Sequence, residues 1–510
     1  MELFSSFQLV LIFCLSLLLW LAKSYKNKTK VKLPPGPRKL PLIGNLHQLA
    51  CSGSLPHRTL RDLAHKYGPL MHLQLGEIPT LVVSSPEMAK EIMKTHDLTF
   101  AQRPKLLASE VLFYGSTDIA YSPLNDYWRQ MRKICTLELL SAKRVQSFSS
   151  IRHDEVDKLI KSIHLSQGSS FNLSQRLFSL VSTIVSRAVF GKKSEHQDEL
   201  ISLLQKGVEL TGGFDVADFF PSLKPIHFIT GMKGKLEDVH NKLDMMLENI
   251  IMEHQENITS SKHVKGEAFN EKETENIVNV LLCIKENGSF QVPVTNDNIK
   301  AIIWDIFGAG TDTSSTSIEW AMSELMKNPT VRRKLQVEIR EAFKGKETIN
   351  EKDLSKLSYF KSVIKETMRL HTVVPLLVPR ESKESCKIGE YQIPKKTRVI
   401  VNAWALARDP NYWYDADKFI PERFDNTNYD FNGNNFEFLP FGSGRRICPG
   451  ILLGLANMEL PLAALLYHFD WELPNGMNPQ DLDMSETFGS AVVKKNNLYV
   501  IPTSYNYSSP

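Results

Sequence analysis

Toward the C-terminal end, Phe441-Gly-Ser-Gly-Arg-Arg-Ile-Cys-Pro-Gly450 sets one thiol at the mouth of a helix, and few folds accommodate such a segment. Glycines at 442 and 444 let the backbone approach a flat ligand with no Cβ in the way. Proline is pre-set for a first helical position, so the next helix is expected to begin at Pro449 or Gly450. A helix N-terminus and a cationic neighbour both favour a thiolate at Cys448. Arg446, two residues earlier, is placed to meet an anionic carboxylate. A lone cysteine is usually a small buried hydrophobe, which is the reading for Cys51 and Cys283; the ten-residue context sets Cys448 apart. Gly442-Ser-Gly444 begins like a dinucleotide loop, but position 447 is Ile and no βαβ pattern surrounds it.

A second constraint lies upstream. Ile299, Ile302, Ile303, Ile306, Ala309, Gly310 and Thr313 recur at spacings of three and four, marking one apolar face of a long helix between Asn296 and Lys327. In its middle is Ala309-Gly-Thr-Asp-Thr313, where small residues let a ligand lie against the helix and glycine weakens the ladder so that a water or a π-bulge can enter. Asp312 and Thr313 offer an acid beside a hydroxyl, a pair that with water can relay protons. Read alone, the same residues are a polar interruption of a buried helix, with Thr313 bonding to its own turn.

Glu366 and Arg369 stand three apart on a helical segment, so they share a face and can pair. Downstream, Pro421-Glu-Arg-Phe424 brings Arg423. Trp128-Arg-Gln-Met-Arg132 and Val378-Pro-Arg-Glu381 add further aromatic and cationic side chains.

The rest of the chain reads as one large, mainly α unit with small β-sheets. Helical periodicity marks 151–166, 235–256, 296–327, 329–345, 353–371 and 450–468, while 70–75 with 80–83 reads as a hairpin and 386–401 as a short-strand region. The polar stretch 257–274 is expected to be an exposed loop. Lys plus Arg (61) nearly balances Asp plus Glu (57), which gives no case for a nucleic-acid surface. The six cysteines lack CxxC pairs, so neither a disulfide framework nor a zinc ribbon is suggested.

Residues 3–22 are almost entirely apolar and long enough to span a bilayer core. Lys23, Lys26, Lys28, Lys30 and Lys32 follow, which leaves the body of the protein cytosolic by the positive-inside rule. A cleaved signal peptide would carry its basic residues first and a shorter apolar run. The expected organisation is a transmembrane anchor at 1–22, a basic, proline-rich linker at 23–37 ending in Leu33-Pro-Pro-Gly-Pro37, and a catalytic domain at 38–510.

The 441–450 segment resembles the haem-binding signature of the cytochrome P450 superfamily, F-x-x-G-x-R-x-C-x-G, with every specified position filled. The resemblance runs from anchor to C-terminus and is nearest to plant microsomal, A-type members, which include terpene and alkaloid hydroxylases. It implies the P450 fold and haem b, with Cys448 as axial iron ligand, Arg446, Trp128, Arg132 and Arg380 toward the propionates, and Phe441 in the cofactor loop. Asp312 becomes the relay acid and Thr313 the hydroxyl that holds oxygen and water, while Glu366, Arg369 and Arg423 become a buried network beneath the haem. Candidate pocket walls are the 101–119 loop, residues 211–214, Ile302, Ile306, Ala309, Val373, Val374, Leu377 and Phe488.

One departure is Thr372-Val373, where that group commonly has two prolines. Arg129, Lys133, Lys143 and Arg144 are either a solvated helix face or the face that receives an acidic reductase. The implied activity is NADPH- and oxygen-dependent hydroxylation of a small lipophilic metabolite, a terpenoid first, with indole alkaloids and phenylpropanoids as alternatives. The implied partner is NADPH–cytochrome P450 reductase, at the endoplasmic reticulum membrane. A reductase-independent haem-thiolate isomerase or dehydratase is the alternative chemistry; it needs no proton relay, so the Asp312-Thr313 pair speaks against it.

Overall fold

The apolar-faced segment forms one unbroken helix, and the other elements are packed around it. The computed structural model describes residues 32–191, 197–212, 216–223, 231–265, 276–288, 291–346, 348–489 and 491–505. The expected anchor, the linker up to residue 31, pocket candidates 213 and 214, and residues 266–274 lie outside them.

In chain order the main helices are α1 (Pro56–Tyr67), α2 (Asp126–Ile134), α3 (Ser149–His164), α4 (Leu173–Phe190), α5 (Gln197–Thr211), α6 (Met232–Lys265), α7 (Ile277–Asn287), α8 (Asn296–Lys327), α9 (Pro329–Ala342), α10 (Ser358–Leu370) and α11 (Ile451–His468). The 32 residues of α8 run about 48 Å at 1.5 Å per residue. Thr295 and Asn298 start it with a reciprocal cap, Asn298 N–H to Thr295 Oγ1 at 3.2 Å and Thr295 N–H to Asn298 Oδ1 at 3.0 Å. It is buried on nearly all sides, with α4 along one flank and α10 and α11 along others. Among the described helices only α11 is long and apolar enough to cross a membrane, and most of it lies inside the core.

The expected hairpin is β1 (Leu70–Leu75) with β2 (Ile78–Val83), paired antiparallel from Leu70–Val83 to Leu75–Ile78. Its two-residue turn has Gly76 at φ 58°, and a Cβ there would stand 2.5 Å from the Phe219 carbonyl oxygen, so only glycine fits. Farther along, β4 (Arg398–Val401) joins β2 in parallel and β3 (Arg380–Glu381) closes the other edge. Residues 386–401 therefore do contain strands, two of which form a separate small hairpin (Cys386–Ile388, Tyr391–Ile393). The proline strap lies along β1, with Pro35 O accepting the His72 amide at 2.9 Å and Asn45 Nδ2 donating to Arg38 O at 3.0 Å.

One expectation is corrected. Residues 257–265 are not loop but the end of α6. Leu236, Val239, Leu243, Leu247, Ile251 and Ile258 are all buried, so the apolar stripe runs past residue 256. His254 Nδ1, 2.7 Å from Asn279 Oδ1, ties this end of the helix to α7.

Candidate functional site

The cysteine loop is shaped by two left-handed glycines, Gly442 at φ 72° and Gly444 at φ 69°. At 444 the need is steric as well, since a Cβ would fall 2.2 Å from Met93 O. The Cys448 amide donates to Phe441 O at 3.0 Å and Ile447 N–H to Gly444 O at 3.0 Å, closing the loop on itself. Phe441 sits edge-on to Phe431, ring centres 5.3 Å apart. The helix begins at Ile451, one residue later than expected, with Gly450 as its N-cap. Gly450 N–H instead points at the sulfur, 3.3 Å from Cys448 Sγ. Burial raises the Cys448 thiol above its ordinary pKa, while this amide and the Arg132 charge work the other way. A cation bound to the sulfur would supply the missing stabilisation of the thiolate.

Around the loop stands a group of guanidinium side chains, Arg103 and Arg380 buried, Arg132 and Arg446 half-buried. Arg446 donates to Ala101 O at 2.9 Å, Ile119 O at 3.1 Å and Ser122 O at 2.6 Å, and lies 4.2 Å from the Trp128 ring centre. Trp128 Nε1 donates to Ile119 O at 3.1 Å. Arg380 reaches Asp97 Oδ1 at 3.0 Å and Ser443 O at 2.7 Å, and Arg132 donates to Ile447 O. Arg103, which no sequence pattern singled out, is buried with its donors on Ala120, Val378 and Pro379 carbonyls, each at 2.7 Å. Burial and mutual repulsion with Arg380 bring Arg446 down to about 9, and burial with repulsion from Arg446 takes Arg103 well below its usual value. Their acceptors are mostly neutral carbonyls, so this cluster carries surplus positive charge. A cluster of cationic side chains and a half-buried thiol fit a haem with its two propionates.

Asp312 and Thr313 sit where α8 opens. The helix is buried on either side, yet Ala309 is exposed and Gly310, Asp312 and Thr313 are half-buried, so a space faces this turn. Thr313 Oγ1 donates to Ala309 O at 2.7 Å, and the stretch remains α-helical without a π-bulge. Burial, with help from the Glu209 charge on α5, raises Asp312 to about 6. A Cβ at Gly454, six residues beyond the thiol, would lie 3.9 Å from Ser314 Oγ, so α11 crosses α8 next to Thr313.

Of the other pocket candidates, Ile306 is 7% exposed, and Val373, Val374, Leu377 and Phe488 are half-buried. Ile302 has no accessible surface and packs in the core, so it lines no open space; this corrects its assignment as a wall. Thr372 is buried, and its hydroxyl donates to Met368 O and Arg369 O, both at 3.2 Å, so it finishes the end of α10 in its own way. Asp305 was also missed, although an acid inside Ile-Ile-Trp-Asp-Ile306 is itself a signal. Its carboxylate accepts the Ile119 amide at 2.6 Å, holding the 118–122 segment to α8. Arg129, Lys133 and Lys143 are exposed, with Arg129 paired to Asp126.

On α10, Arg369 grips Glu366 through Nε at 2.7 Å and Nη2 at 2.9 Å, and Arg423 Nε reaches the same carboxylate at 3.0 Å. The three side chains are essentially inaccessible to solvent.

Comparison with known proteins agrees with this geometry. Residues 34–502 match the family model described as Cytochrome P450. The chain is 60% identical over 506 residues to "Cytochrome P450 71D8" of Glycine max, covering 99% of this chain and 100% of the relative. It is 55% identical to "Premnaspirodiene oxygenase" of Hyoscyamus muticus and 52% to "5-epiaristolochene 1,3-dihydroxylase" of Nicotiana tabacum, each covering 98% of this chain and 99% of the relative. Among solved structures, zebra fish cytochrome P450 with progesterone superposes at a TM-score of 0.75 with 26% identity, covering 88% of this chain and all of that one.

Proposed function

This chain belongs to the cytochrome P450 family, and from that premise we propose that it hydroxylates a terpenoid, using NADPH electrons passed on by a reductase at the endoplasmic reticulum membrane. It is a haem-thiolate monooxygenase with haem as cofactor and a redox partner as electron source. The terpenoid assignment is supported by relatives whose names state oxidation of premnaspirodiene and 5-epiaristolochene, matched over nearly their full length.

When bound, the haem supplies the redox chemistry that splits dioxygen, placing one atom in the substrate and releasing the other as water. The chain's own residues do the rest. Cys448 would hold the iron, its sulfur 3.3 Å from the Gly450 amide. Arg446, Arg380, Arg132 and Arg103 would hold the haem propionates, and Trp128 backs Arg446. Asp312, raised to about 6 by burial and the Glu209 charge, offers a proton that Thr313 passes toward the open side of α8. Ile306, Ala309, Val373, Val374, Leu377 and Phe488 exclude water and orient an apolar substrate. The exposed Arg129, Lys133 and Lys143, with Arg144, receive the acidic surface of the reductase. The apolar segment 3–22 anchors the protein, with the catalytic body in the cytosol.

The observation that carries this reading is the loop around Cys448, closed by the Cys448 amide on Phe441 O and flanked by Arg132 on Ile447 O and Arg380 on Ser443 O. Microsomes containing this chain and a plant reductase, fed terpenoids, phenylpropanoids and indole alkaloids, test it. Oxygen- and NADPH-dependent hydroxylation of a terpenoid is expected. Turnover of a peroxide without reductase, or oxidation of only the other classes, would overturn the corresponding part.

A further inference from the structure

The hairpin that leads into Phe488 is too short to hold itself in place. Its strands, Glu486–Thr487 and Val493–Lys494, are paired at two positions, Thr487 with Val493 and Glu486 with Lys494. A two-stranded ribbon is marginal in water, so where this one sits is decided by what it is tied to. At its far end the Val492 amide donates to Val373 O at 2.8 Å, and Trp320 Nε1 on α8 donates to Val492 O at 3.3 Å. Phe488 itself packs against the apolar cluster that contains Leu73, Phe219 and Leu376.

The near end is tied by charge. Arg58 Nη2 donates to Glu486 Oε2 at 2.8 Å, and His57 Nε2 lies 3.4 Å from the same oxygen. Both partners belong to the first turn of α1, where the helix dipole also favours a carboxylate. The Glu486 side chain is 5% exposed and His57 has no accessible surface. Burial alone would raise the carboxyl, yet His57 and Arg58 bring Glu486 down to about 2, while burial holds His57 below its ordinary value. The group is therefore an ionised Glu486 and Arg58 beside a neutral imidazole. Two residues beyond Glu486, the Phe488 ring stacks on the same imidazole, centres 6.3 Å apart and planes 29° from parallel. His57 is fixed in turn: Trp404 packs on its ring at 4.9 Å, and Asn402 Nδ2 donates to His57 O at 2.8 Å.

We propose that Glu486 is a positioning residue: through Arg58 and His57 it holds the Phe488 ring at the substrate space, so the fit of a substrate is set partly from α1. The inference rests on the reading of Phe488 as a pocket wall. A wall side chain keeps one geometry only when its neighbours lock it, and here the lock is the Glu486 contact with α1. Arg58 is 42% exposed, so on loss of Glu486 it turns to water and leaves no stranded cation. The near end of the hairpin then shifts while Val492 stays on Val373.

Imidazole and 4-phenylimidazole are the probes, since both bind haem iron through nitrogen but only the second needs the space that Phe488 borders. Spectral titration of the holoenzyme gives the ratio of their affinities. In Glu486→Leu that ratio should change several-fold, in the direction given by Phe488→Ala, with the carbon-monoxide spectrum retained. Arg58→Met should act in the same way, and Arg58→Lys, which preserves the ion pair, should keep the wild-type ratio. Adding Glu486→Leu to Phe488→Ala should change nothing further, because both act through one ring. A wild-type ratio in Glu486→Leu, or additive effects in the double variant, would overturn the proposal. If neither Glu486→Leu nor Arg58→Met takes up haem, the pair serves folding alone and the proposal is likewise overturned. An unchanged ratio in Phe488→Ala removes the wall reading on which it rests. The titration needs no turnover, so failure of the wild type to oxidise a terpenoid counts against the substrate assignment and leaves this test in place.

Discussion

Arg423 Nε lies 3.0 Å from Glu366 Oε1, the oxygen that also accepts Arg369 Nη2 at 2.9 Å and the Ile420 amide at 2.8 Å. Two cations thus share one inaccessible carboxylate, and the arginines' remaining donors end on backbone carbonyls such as Ala407, Ala416 and Asp415. Removing one partner leaves an uncompensated charge in a low-dielectric interior, which costs about 3–5 kcal/mol. Glu366→Gln and Arg369→Met should therefore lower the denaturation midpoint and the haem content together. Unchanged stability in either variant would contradict the assignment.

Gly444 combines a left-handed φ with a backbone oxygen 2.2 Å from where a Cβ would be. Gly444→Ala should disturb the loop carrying Cys448 and reduce haem occupancy, with a destabilisation of about 1–3 kcal/mol or more. Spectroscopic haem-to-protein ratio and thermal melting check this directly.

Asp312 titrates near 6 because burial penalises its charge and Glu209 adds a like charge. At pH 7 roughly a tenth of it then carries a proton, against about a thousandth for an ordinary aspartate. The donor form is lost as pH rises, so proton-limited turnover should fall through the region just above 6. Glu209→Gln removes the repulsion and should move that falling limb to lower pH. On stability the sign is the same: the folded state holds the proton more tightly, so the contribution is complete below about 3.8 and is lost as pH rises through about 6.

Thr313 bonds to Ala309 O, so its hydroxyl is held at the open turn of α8. Thr313→Ala should retain the carbon-monoxide spectrum but divert NADPH electrons to peroxide. Full, coupled product formation would contradict its relay role.

Local geometry made part of this site readable in advance. Glu366 and Arg369 share a helix face at a spacing of three, and the turn residues around Cys448 announce the loop. The arrival of Arg423 was readable only through family resemblance, because periodicity carries no information about a partner 57 residues away. Arg103 and Asp305 escaped since each acts through long-range bonds to the 118–122 segment and neighbouring carbonyls. An apolar helix face does not say which residues meet a neighbour and which meet open space, hence the misplacement of Ile302. At the end of α6, polar composition masked a stripe that Ile258 still continues.

The central claim is that Cys448 is the iron ligand. The carbon-monoxide difference spectrum of the reduced protein tests it most directly: the wild type should give a thiolate-type Soret band, and Cys448→Ala should abolish it. A thiolate-type band that survives in Cys448→Ala, or a nitrogen-ligand band in the wild type, would contradict the account.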